Sequence, residues 1–125
     1  ISNFFNIPEQ TKVVQLSRLR GDDNGPFVYF ESVFHPRIGI TPEANFDMPL
    51  YELLENRFNI HATVSRERIK ARLATKITAS RLKIKPGEPI MIRERFVSGA
   101  GDKPIEYNIG FYIAEKFTYL IEIRR

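Results

Sequence analysis

The run Val13-Val14-Gln15-Leu16-Ser17-Arg18-Leu19-Arg20 constrains this chain most, because strand alternation puts Val14, Leu16, Arg18 and Arg20 on one side. If that side faces a core, two guanidiniums point inward and require an anionic partner, for which the planar arginine fork suits a carboxylate or a phosphate. Two other arrangements stay open. Arg18 and Arg20 can lie at a solvated strand end, or they can pair with Glu31 and Glu106 inside the protein.

The same period-two pattern recurs along the chain. A dense turn signal, Gly21-Asp22-Asp23-Asn24-Gly25-Pro26, leads into alternation over Phe27 to His35, so the first two strands form a hairpin with Phe27, Tyr29, Glu31 and Val33 on one face. Three prolines between 36 and 49 mark a connecting loop. Leu50, Leu53, Leu54 and Phe58 then fall at helical spacing, giving an amphipathic helix over 49–58 with Pro49 in its first turn. Alternation returns from Ile60 to Leu73 with a change of phase that a β-bulge near 65–67 would reconcile. A short helix over 75–82 is stopped by Lys85-Pro86-Gly87, and strands are expected at 90–98, 104–113 and 118–124. Strands in runs with two interposed helices imply an α+β fold on a mainly antiparallel sheet.

Several function classes recede on composition. The 125 residues are 42% hydrophobic, enough for one core, and no apolar run approaches the roughly 20 residues of a membrane helix. Cysteine is absent, which excludes disulfides and thiolate metal sites and fits a reducing, cytoplasmic setting. Residues 61–95 hold ten Lys/Arg against three Asp/Glu. Arg66, Arg68 and Lys70 alternate there as on a solvated sheet face, with no recognition helix or zinc-finger spacing beside them. His35 and His61 sit at strand ends, read as surface or capping residues, and no metal-ligand or cofactor signature appears. The strand at 104–113 differs from the others: Glu106, Asn108, Gly110 and Tyr112 share a face, as in a ligand cavity, unless that face is simply solvated.

Taken in order, Arg18-Leu19-Arg20, Glu31, Leu50-Tyr51-Glu52-Leu53-Leu54, Glu67 to Ala71, Leu82 to Ile90, Arg95, Lys103-Pro104-Ile105-Glu106-Tyr107 and Tyr112 resemble the UTRA domain, the effector-binding half of HutC-type GntR bacterial transcription regulators. The resemblance spans roughly residues 11 to 124. It implies a chorismate-lyase-like fold with two or three short helices, a homodimer, and a pocket for a small anionic metabolite, a sugar phosphate or a carboxylate. It also implies a winged helix-turn-helix domain upstream that alone would touch operator DNA, with residues 1–10 as the linking arm, since the chain opens at Ile1. Effector contacts implied by the family's pattern fall on Arg18, Arg20, Glu31, Tyr51, Glu106 and Tyr112, with no catalytic residue. One departure stands out: the family commonly has Ser-Leu-Tyr where this chain has Pro49-Leu50-Tyr51, and proline supplies neither a hydroxyl nor a backbone N–H. The implied fold also carries a lyase that acts on chorismate, so an enzyme for a small carboxylate is the alternative. Phe4, Phe5 and Ile7, outside the sheet pattern, offer a dimer surface.

Overall fold

In the computed structural model, which describes residues 2–118 and 120–124, five antiparallel strands form one sheet in the order β1-β2-β5-β4-β3. The strands are β1 (Val14–Asp22), β2 (Gly25–Phe34), β3 (Val64–Leu73), β4 (Pro89–Ser98) and β5 (Pro104–Ile113). Three short helices, α1 (Ser2–Phe5), α2 (Leu50–Phe58) and α3 (Lys76–Leu82), complete the expected α+β architecture. β1 and β2 form the predicted hairpin, tightened where Asp22 Oδ1 accepts from the Asn24 amide at 2.9 Å.

The helices divide between the two sheet faces. α2 buries Leu53 and Leu54 with Phe34, Ile38 and Val97, and Asn59 in the left-handed conformation ends it by turning the chain back toward Leu54. On the opposite face α3, capped by the Thr75 hydroxyl at 3.2 Å from the Thr78 amide, packs Ala79 and Leu82 on Ile90 and Ile113. α1 packs beside it.

Four expectations need correction. The arm at 1–10 is not loosely tied: Phe5 is only 1% exposed, in a cluster with Val33 and Tyr107 against which Phe4 and Ile7 pack. No bulge interrupts β3, whose register with β4 runs evenly from Val64–Ser98 to Leu73–Pro89. The change of phase instead reflects residues 60–63 lying outside the strand, while β3, at the sheet edge, is mostly exposed on both faces and so imposes no hydrophobic period. The strand expected at 118–124 does not form among residues 118 and 120–124, and Tyr119 lies outside the described residues. Leu120, Ile121 and Ile123 stay exposed, since neither sheet edge pairs with them. The fourth is Glu31, which faces Arg81 of α3 rather than α2.

Candidate functional site

Cross-strand register places chemistry in rows on the α2 face of the sheet. One row runs Leu16, Ser32, Asn108, Arg95, Glu67 across all five strands. The next runs Arg18, Phe30, Gly110, Arg93, Ile69, and a third Arg20, Val28, Tyr112, Met91, Ala71. Period-two geometry thus converts the alternations of β1 and β5 into one polar floor. Over it lie the loop residues Phe46 to Pro49 and the first turn of α2, enclosing a cleft of about 590 Å³.

Five of the six expected effector residues, Arg18, Arg20, Tyr51, Glu106 and Tyr112, line this cleft. The sixth does not. Glu31 points to the other face, where its carboxylate accepts from the Tyr29 hydroxyl at 3.1 Å and pairs with Arg81 of α3 at 3.3 Å. The reason lies in parity: Ser32, not Glu31, pairs with Asn108 and Leu16 in the floor row. Both faces of β2 are rich in apolar residues, so alternation alone left its inward side undecided. Arg18 and Arg20 also pair with neither Glu31 nor Glu106.

Arg18 is half-buried and donates one guanidinium N–H to the Phe46 carbonyl at 2.6 Å, which anchors the loop wall and spends one of its five donors. Arg20 is exposed at the mouth, its guanidinium 5.7 Å from the Phe30 ring centre, with no ion pair among the described residues. Deeper in, Glu106 is 2% exposed. Burial raises its pKa, opposed by the Ser32 hydroxyl, the Arg95 charge and the Tyr51 hydroxyl. Tyr51 reaches Glu106 across 3.4 Å and accepts from Arg95 at 3.1 Å; burial first, and then the Glu106 charge, push its phenol up to about 12. Asn108 donates to Ser32 at 2.7 Å. Gly110 has a steric role, because a Cβ there would sit 2.8 Å from the Tyr112 ring, so only a bare α-carbon lets that ring fold over the floor.

Arg95, Ser32, Asp47 and Phe30 also line the cleft. Arg95 carries part of the family resemblance without a predicted site role, and Ser32 is short and carries no comparable signal. The mouth therefore offers guanidiniums, the floor offers Glu106, Asn108 and Ser32, and Phe46, Tyr51 and Tyr112 enclose the sides. Such a site fits a small molecule with an acidic end and hydrogen-bonding groups beyond it. Neither histidine lines it: His61 lies 3.5 Å from Glu55, and His35 sits beyond the sheet end. On the other face of β3, Arg68 and Lys70 pair with Glu94 at 3.9 and 3.5 Å, as a solvated sheet face would.

The UTRA domain family model matches residues 1–118 of the chain. No curated protein matches. Among solved structures, the chain is similar to the ligand-binding domain of a protein assigned to the GntR family of transcriptional regulators from Bordetella bronchiseptica, with 24% identity and a TM-score of 0.86 over 99% of this chain and 79% of that one. It is similar to the C-terminal domain of Yurk from Bacillus subtilis, with 15% identity and a TM-score of 0.87 over 98% and 86%. It is also similar to a GntR-family transcriptional regulator from Enterococcus faecalis, with 19% identity and a TM-score of 0.87 over 98% and 88%. The five-stranded sheet with short helices on both faces is the chorismate-lyase-like α+β fold expected from the sequence.

Proposed function

This chain belongs to the UTRA domain family, and we propose that it is the effector-binding and dimerisation half of a HutC-type GntR regulator, controlled by a small anionic metabolite held by Arg18 and Arg20. The observation that carries this reading is the convergence of that pair with Glu106, Asn108, Tyr112 and Tyr51 in one cleft. Operator DNA is contacted by an N-terminal winged helix-turn-helix domain. Dimerisation draws support from Leu120, Ile121 and Ile123, exposed apolar side chains on the segment after the sheet.

The acidic end of the effector is read as a carboxylate. Pro49 stands at the N-cap of α2 with no side-chain cap bond and lines the cleft, so the helix start lacks the serine hydroxyl and one N–H that a dianionic phosphate would use. The arginine pair can still grip a flat carboxylate.

Coupling to an upstream domain runs through β2 and β5, because each strand carries cleft and arm contacts on successive residues. Ser32 and Glu106 face the cleft; Val33 and Tyr107, the next residue in each strand, hold Phe5 on the opposite face. His35 adds a tie, its Nε2 lying 3.1 Å from the Phe5 carbonyl. An effector that displaces Glu106 or Ser32 thereby alters the seat of the arm, and it regulates only if it binds one arm position better than the other.

A thermal-shift screen of carboxylates, amino acids and sugar phosphates tests the reading, since a ligand selective for the folded state raises the melting temperature. An anionic hit lost on replacing both arginines supports it. Hits that ignore the arginines, or turnover of chorismate, would replace it with another cleft function or with the enzyme.

A further inference from the structure

Glu67 lies on the edge strand β3, outside the cleft lining, yet its carboxylate meets two arginines that each reach a cleft tyrosine. Arg93 donates to Glu67, and the Tyr112 side chain, diagonal to it across β4 and β5, is among the groups that raise its pKa. Arg95 pairs with the same Glu67 oxygen at 3.5 Å and donates to the Tyr51 hydroxyl at 3.1 Å. The Nε atoms of both arginines are buried and make no full hydrogen bond among the described residues, that of Arg95 meeting the Glu67 oxygen at ion-pair distance, so this carboxylate is the counter-charge that the two guanidiniums share. Two cations two residues apart on one strand face repel, and a carboxylate between them removes that repulsion.

We propose that Glu67 is the positioning residue of the cleft, setting the place of Tyr51 through Arg95 and of Tyr112 through Arg93. This rests on the reading of the cleft as the effector site. Position matters there because Tyr51 and Arg95 also form the wall between the main cleft and a second hollow of about 310 Å³ lined by Glu55, Thr63 and Ser65. A displaced wall changes the length of molecule that the cleft accepts. Glu67 is thus a determinant of effector size that never touches the effector.

The test uses the whole chain labelled at tyrosine ring carbons, with Tyr51 and Tyr112 signals assigned by Tyr51→Phe and Tyr112→Phe. Glu67→Gln should shift both signals while leaving Tyr107, which donates to Glu94 at 2.6 Å on the other face, in place. Arg95→Lys should move Tyr51 alone, and Arg93→Lys Tyr112 alone. Movement of neither cleft tyrosine in Glu67→Gln, or equal movement of all tyrosines, would overturn the proposal. If Glu67→Gln does not fold, the two lysine variants decide: separate responses support it and crossed or absent ones overturn it. The signals are read without a ligand, so their failure leaves the effector reading standing, and an effector screen without hits leaves the coupling standing.

Discussion

The Tyr51 hydroxyl reaches the buried Glu106 carboxylate across 3.4 Å, which ties the first turn of α2 to the floor of the sheet. This contact spans 55 residues of sequence and joins the two sides of the cleft. It follows that changes at Glu106 should be felt both in stability and in binding.

Burial raises the Glu106 pKa above the ordinary 4.5, so between that value and the folded one the native state holds more protons than the unfolded chain. Stability then falls as pH rises through that interval. Glu106→Gln removes the titration, so its melting profile should be flatter than the wild type's, with the difference in favour of Gln growing from pH 4 upward. Parallel profiles would contradict the assignment.

His35 titrates in the opposite sense. Desolvation, its largest influence, and the charge of Arg37 lower its pKa below 6.5, against the hydrogen bond to Phe5. Its Nδ1 accepts from the Arg37 amide at 3.1 Å, a bond that a charged ring cannot accept. The stabilisation is therefore complete above pH 6.5 and is lost as pH falls below it. The bond to Phe5 favours the charged ring, so the loss falls on the Arg37 side: the exchange protection factor of the Arg37 amide should drop below pH 6.5 in the wild type, and His35→Gln should show no such step.

Gly110→Ala should cost little stability, because the ring it meets at 2.8 Å can swing away, but it displaces Tyr112 from the cleft. Effector affinity is expected to fall about tenfold, the loss of roughly one hydrogen bond to a charged or polar group. Unchanged affinity measured by calorimetry would remove Tyr112 from the site.

Pro49→Ser should restore a helix-start hydroxyl and N–H. A sugar phosphate should gain about 1.5 kcal/mol relative to its carboxylate analogue in that variant. If the wild type already prefers the phosphate, the carboxylate reading is wrong.

The α+β class, both longer helices and all five strands were legible from the sequence, although β3 was read from Ile60 with a bulge that does not exist. Where one face is polar and the other apolar, as on β5 with Glu106, Asn108 and Tyr112 opposite Tyr107 and Phe111, alternation states which side faces which layer. On β2 it does not, since Val28, Phe30 and Phe34 oppose Phe27, Tyr29 and Val33, and only pairing with Asn108 turns Ser32 inward and Glu31 outward. Edge exposure removed the signal on β3, and the apolar Leu120, Ile121 and Ile123 suggested a strand that finds no partner among the described residues. Arg95 joined the cleft through register, a long-range property that a local pattern does not contain.

If Arg18 and Arg20 hold an anionic effector, calorimetry on the wild type and on the Arg18→Ala/Arg20→Ala variant will separate the two proteins sharply. Each charge-assisted bond contributes about 1.5 to 3 kcal/mol, so the double variant should bind a screened anion at least about 100-fold more weakly while remaining folded. Arg18→Ala alone should also lower stability by about 1 kcal/mol, through the lost bond to the Phe46 carbonyl, whereas Arg20→Ala should not. Wild-type affinity in the folded double variant would contradict the account.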